Sequence, residues 1–193
     1  MSEARSPVVA VFGSSTLRED EPAFGEVREL GRRLAVGGYA VMTGGYFGAM
    51  AAASQGAHEA GGHVIGVTVE LFEKRGPANP WLRERVHTPS LFARLEEIVR
   101  RAEAFVAVQG SIGTLTEVFL AWTLVSVGAR RGVPLVLMGD HWRAWLDAHR
   151  GPEFVPPQLF RFVEVADTPE AAVQAVTRAL ARARAGEPSE ARP

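Results

Sequence analysis

Three apolar runs, "VVAVF" at 8–12, "FVAVQ" at 105–109 and "VPLVLM" at 133–138, constrain the fold most strongly. They carry almost no polar alternation, so each reads as a strand covered on both faces rather than one with a wet side. The strands read from the sequence are 7–12, 40–43, 64–68, 104–108, 133–138 and 161–165. Segments of helical length fall between and after them, at 21–36, 47–61, 90–102, 114–128, 141–149 and 169–184. In the first, Phe24, Val27, Leu30 and Leu34 recur at helical spacing, and in the third Leu91, Leu95, Ile98, Val99 and Ala102 share a face. Strand–helix alternation of this kind predicts an α/β fold, Rossmann-like and doubly wound in three layers, around a mainly parallel sheet of six or seven strands. Residues 70–89 interrupt the rhythm with "GPANPW" and read as one long loop, a feature that often borders a site.

The chain of 193 residues is 47% apolar and 22% charged, which suits a single domain over 1–184 with a disordered tail over 185–193. A net charge of −1 argues against a nucleic-acid polymer as partner. There is no signal-peptide pattern and no apolar run near the length of a membrane span, so a soluble cytoplasmic protein is expected. With no cysteine, disulfides, thiolate catalysis and Cys-ligated metal are excluded. The five histidines lack metal-site spacing, and no metal or cofactor is expected.

Three strand-to-helix junctions are rich in small residues: "FGSST" with Gly13 and Ser14, "TGGYFGAM" with Gly44 and Gly45, and "QGSIGT" with Gly110, Ser111, Gly113 and Thr114. In an open parallel sheet such turns gather beyond the carboxyl ends of the strands, where free N–H groups at helix N-termini suit a phosphate. None has the G-x-G-x-x-G spacing of a dinucleotide site or the Gly-Lys-Ser/Thr of a P-loop. The G-x-S-x-G elbow of a serine hydrolase also fails, because Ser111 directly follows Gly110.

Taken together, "TGGYFGAMAAASQGAHEAGGHVIGV", "LFARLEEIVRRAEAFVAV" and "QGSIGTLTE" resemble the motif blocks of the LONELY GUY family, long labelled lysine decarboxylase-like, over roughly residues 8–150. The resemblance implies a Rossmann-like homodimer that hydrolyses the N-glycosidic bond of a nucleoside 5′-monophosphate, AMP or a cytokinin-type nucleotide. On the matching positions Arg94 and Glu117 are catalytic, and Gly110, Ser111, Gly113 and Thr114 cradle the phosphate. Gly44 and Gly45 line the opposite wall. The departures are Gln109 for proline, Ser111 for the second glycine of P-G-G-x-G-T-x-x-E, Tyr46 for the third glycine of a G-G-G turn, and Leu91 and Leu95 for the methionine and lysine flanking the arginine. The same wider group is similar to molybdenum-cofactor carriers, which implies an alternative: a non-catalytic binder of a phosphorylated nucleotide or pterin.

Local readings compete at three residues. Thr114-x-x-Glu117 is also a capping box, and Arg94 could be a surface ion pair. Ser111 either occupies a positive-φ position or adds a hydroxyl donor to the phosphate. Trp122, Trp142 and Trp145 read as core or dimer packing more readily than as a base-stacking platform. Decarboxylation of lysine would need a Schiff-base lysine for pyridoxal phosphate. The only lysine, Lys74, lies in the loop "EKRGPANP" with nothing to hold it rigid, so that activity is excluded.

Overall fold

The apolar runs become the middle of one seven-stranded sheet, every neighbouring pair parallel, in the computed structural model, which describes residues 5–74 and 76–186. In chain order the elements are β1 (Val8–Phe12), α1 (Pro22–Val36), β2 (Ala40–Thr43), α2 (Ala49–Glu59), β3 (Val64–Val69), α3 (Glu70–Glu73), β4 (Glu84–Thr88), α4 (Leu91–Arg101) and β5 (Ala104–Ala107). They continue with α5 (Ile112–Ser126), β6 (Leu135–Met138), α6 (Asp140–Ala148), a 3-10 turn at Pro157–Phe162, β7 (Val163–Ala166) and α7 (Pro169–Arg184). Of the expected tail, only Ala185 and Gly186 fall within the described residues.

Strand alternation divides the core in two. Val9, Val11, Val41, Val106 and Val136 face α1, α2 and α7, and pack with Leu30, Leu34 and Val176. Ala10, Phe12, Met42, Phe105 and Leu137 face the other way, against Ile98 of α4, Val118 and Trp122 of α5 and Trp142 of α6. Strands β1, β2, β3, β5 and β6 are therefore covered twice, which is why their sequences show no polar stripe.

The sequence reading omitted β4 and α3, both inside the segment taken as a loop. In β4 the residues Glu84-Arg85-Val86-His87-Thr88 offer one aliphatic side chain. The strand pairs only with β3, at the edge of the sheet, so its outward side chains stay polar and no apolar run announces it.

The sheet order is β4-β3-β2-β1-β5-β6-β7. The chain winds outward from β1 to β4, then α4 carries it back to β5 beside β1, and it winds outward again. The reversal between β1 and β5 opens a crevice at their carboxyl ends, the position that binds ligands in this architecture.

Candidate functional site

The three glycine-bearing junctions converge at that crevice. Ser14 N–H, after β1, donates to the carbonyl of Gln109, after β5, at 2.9 Å. Ala49 N–H, at the start of α2, donates to the carbonyl of Ser14 at 2.8 Å. Gly13 sits inside the join, where a Cβ would lie 2.5 Å from Val108 Cγ2 and 2.6 Å from Ala49 Cβ.

The turn after β5 differs from the expectation at its helix. α5 begins at Ile112, not Thr114, with Ser111 as N-cap. Thr114 is therefore in the first turn, buried, and its side chain packs so closely over Gly110 that a Cβ there would overlap it. The capping box is thereby overturned: Glu117 is in the second turn, beyond reach of the cap. Ser111 has φ −102° and ψ −158°, ordinary extended backbone, and its hydroxyl makes no capping bond. The positive-φ alternative for Ser111 falls with that, and its exposed hydroxyl points to no internal task. The first intrahelical bond runs from Leu115 N–H to Ser111 C=O at 3.0 Å, so the N–H groups of Ile112, Gly113 and Thr114 precede the ladder. Gly113 faces open space.

A cavity of about 590 Å³ opens beside this turn on the α1 side. Its lining includes Ser14, Thr16, Gly110 and Ser111 together with the acidic residues Glu21, Glu26, Asp140 and Asp167.

Arg94 and Glu117 meet on the other side of the turn, toward α4, and do not line that cavity. Arg94 Nη1 lies 3.4 Å from Glu117 Oε1, and both side chains are nearly enclosed, 6% and 13% exposed. The surface ion pair considered for Arg94 is thus overturned. Its Nε donates to the Val67 carbonyl at 2.8 Å, and its Cζ lies 5.8 Å from the centre of the Phe72 ring. Gly44 completes the seat, because a Cβ there would overlap Arg94 Nη2. Gly45 has φ +80°, a left-handed value that suits glycine, and donates its N–H to Thr43 Oγ1 at 3.0 Å. Both glycines belong to the Arg94 side and not to the cavity wall. Burial pushes the Glu117 carboxyl up from 4.5 to about 7, a rise that the nearby Arg94 opposes without cancelling.

Sequence reasoning missed Asn79 and Phe72, and saw Tyr46 only as a departure. Asn79 Nδ2 donates to the Tyr46 carbonyl at 3.0 Å, and its N–H to the Gly45 carbonyl at 2.9 Å, pinning the 76–83 segment to the turn after β2. The one available signal was the length of that loop. Trp122 and Trp142 are core residues, as read, with Trp122 edge-on to Phe160 at 5.4 Å. Among the described residues no group of three or more His, Asp or Glu side chains is placed to hold a metal ion.

A doubly wound sheet with an uncapped helix N-terminus at its switch point, next to a buried Arg–Glu pair, defines an α/β protein of the Rossmann-like class. Residues 50–176 match the family described as possible lysine decarboxylase, and the chain belongs to that family. It is similar to the cytokinin riboside 5′-monophosphate phosphoribohydrolase of Mycobacterium tuberculosis, with 30% identity over 76% of this chain and 81% of that protein. It is also similar to the probable phosphoribohydrolase LOGL9 of Oryza sativa subsp. japonica, at 32% over 67% of this chain and 59% of that one. Among solved structures, TM1055 superposes with a TM-score of 0.72 at 30% identity, covering 89% of this chain and 99% of that one. The molybdenum cofactor carrier protein of Chlamydomonas reinhardtii superposes with a TM-score of 0.70 at 28% identity, covering 92% and 99%.

Proposed function

We propose that this protein hydrolyses the N-glycosidic bond of a nucleoside 5′-monophosphate, AMP or a cytokinin-type nucleotide, giving free base and ribose 5-phosphate. The observation that carries the reading is the buried Arg94–Glu117 pair set directly behind the uncapped N-terminus of α5. The phosphate would be held by the N–H groups of Gly113 and Thr114, by Gly110 and by the Ser111 hydroxyl, with Ser14 closing the turn from β1. A phosphate fixed there holds the ribose in one orientation. Cleavage passes through a ribosyl cation, whose positive charge the ionised Glu117 steadies. Glu117 takes one proton from the attacking water, the water oxygen bonds to the anomeric carbon, and the electron pair of the broken bond leaves with the base, which gains a proton. Arg94 draws Glu117 toward its ionised form in a place where burial favours the neutral acid, and holds its carboxylate. Gly13, Gly44 and Gly45 serve this arrangement through packing. The named activity of the Mycobacterium and rice relatives supports the reading.

The purified protein is incubated with AMP, GMP, CMP and an isopentenyl-AMP, an active relative running alongside, and products are separated by chromatography. Equal amounts of base and ribose 5-phosphate from at least one nucleotide are expected. No base from any of them rejects the reading.

One observation favours a second reading, a binder of a phosphorylated heterocycle: the large cavity is not walled by Arg94 or Glu117, and a carrier of molybdenum cofactor superposes closely. A copurified ligand seen by mass spectrometry, without turnover, would favour this second reading.

The reading includes a homodimer. Phe92 of α4 is 85% exposed and Ile112 of α5 is 77% exposed, with Leu91 and Phe119 nearby in sequence on the same helices, more apolar surface than isolated side chains explain. Light scattering at micromolar concentration should give twice the chain mass, and a monomer would contradict it. Among the described residues no helix is long and apolar enough to cross a membrane. The expected cytoplasmic location is part of the proposal and is tested by cell fractionation.

A further inference from the structure

Strand β3 outruns its neighbour. Its pairing with β2 ends where Thr43 faces Gly66, while β3 continues through Val67, Thr68 and Val69. Buried backbone groups on such an overhang need partners. Two side chains supply them. The Val67 carbonyl accepts from Arg94 Nε at 2.8 Å. The Tyr46 hydroxyl takes both groups of Val69, accepting from its N–H at 2.9 Å and donating to its carbonyl at 2.8 Å. The same two side chains share a second support. The Tyr46 ring meets Phe72 edge-on with centroids 6.0 Å apart, and the Phe72 ring is the one beside the Arg94 guanidinium. Phe72 follows Val69 by three positions on the short α3, so the bond that holds Val69 also sets the place of Phe72.

We infer that Tyr46 is a positioning residue for Arg94: by clamping the end of β3 and the Phe72 ring it fixes the depth at which the guanidinium meets Glu117. The inference rests on the proposed role of Arg94 and Glu117. The contact at stake is sensitive, since 3.4 Å from Nη1 to Oε1 is already beyond the usual range for a charged hydrogen bond. Slackening of the overhang would lengthen it further. A glycine at position 46, the residue of the motif this turn resembles, would leave both polar groups of Val69 without this partner. The departure at Tyr46 therefore serves the pair.

Arg94 is the charged side chain recorded against Glu117, and the Tyr46 phenol stands behind it. The Glu117 carboxyl carbon, labelled with ¹³C and assigned through Glu117→Gln, reports by NMR titration how near the guanidinium lies. Tyr46→Phe keeps the ring and loses both bonds to Val69; Phe72→Leu keeps apolar bulk and loses the ring face. In each variant the Glu117 titration midpoint should rise by roughly half a pH unit or more, toward the value in Arg94→Ala, and combining the two should add little. A purely structural role for Tyr46 would lower the melting temperature and leave that midpoint in place, and this result in both variants overturns the inference. If Tyr46→Phe does not fold, Phe72→Leu decides alone. No nucleotide enters the titration, so its outcome is separate from whether AMP is cleaved, which base release by the wild type decides.

Discussion

Replacing Glu117 by glutamine should change how stability depends on pH, and in an unusual direction for a carboxylate. Most acids in folded proteins are held below their ordinary range, but the nearly enclosed Glu117 is raised from 4.5 to about 7. The native state therefore binds this proton more tightly than the unfolded chain does. The resulting stabilisation is fully present below about pH 4.5 and is lost as pH rises through 7. At about 1.4 kcal/mol for each tenfold change in proton affinity, the loss is on the order of 3 kcal/mol. Glutamine does not titrate, and every other ionisable group is common to both proteins, so the difference between them isolates Glu117. Arg94 facing an amide adds a constant offset, not a slope. Urea unfolding followed by tryptophan fluorescence at pH 5, 6, 7 and 8 should show the wild type losing about 2–3 kcal/mol relative to Glu117→Gln across that range. In melting temperature this is roughly 4–12 °C for a chain of this size. A flat difference from pH 5 to 8 would refute the burial argument, because it would mean that Glu117 titrates alike folded and unfolded.

Arg94→Ala should lower kcat/KM for the cleaved nucleotide at least about 100-fold, roughly 2.7 kcal/mol of transition-state stabilisation, and a variant within threefold of wild type would remove Arg94 from the chemistry. Gly44→Ala puts a methyl group where Arg94 Nη2 lies, so it should cost a similar factor in kcat while calorimetry finds nucleotide affinity within a few fold; full activity would show that the guanidinium has room to spare. Ser111→Gly should weaken nucleotide binding about tenfold or more, since a hydrogen bond to a charged group is worth about 1.5–3 kcal/mol, and unchanged or tighter binding by calorimetry would mean the hydroxyl does not touch the phosphate. The rate of cleavage should rise with pH to a plateau above an apparent pKa near 7, because the ionised form of Glu117 is the active one; activity that peaks near pH 5 would contradict this.

The fold was legible wherever burial on two faces had filled a segment with aliphatic residues, as in β1, β5 and β6. It was illegible in β4, whose edge position leaves Glu84, Arg85 and His87 exposed or partly so and the pattern polar. Arg94 and Glu117 were found as a pair because the resemblance places both, but their burial was not. Periodicity put Arg94 at the border of an apolar face and could not show that the Val67 carbonyl and Gly44, at the end of the neighbouring strand, leave a slot for it. The start of α5 was misjudged by two residues because Thr114 is a better capping residue than its actual place requires, and Ser111 took the cap position. Tyr46, Phe72 and Asn79 act through contacts between segments 23 to 33 positions apart or through a short helix inside a loop, which no local pattern encodes.

The central claim is that Glu117 acts chemically on a nucleotide held at the N-terminus of α5. Wild type and Glu117→Gln are each saturated with AMP, with occupancy measured by calorimetry, and free adenine is then followed over time by chromatography. Equal binding with adenine released only by the wild type is the predicted result. Adenine released by Glu117→Gln at near the wild-type rate would contradict the account, as would AMP and isopentenyl-AMP each bound by both proteins with no base released from either.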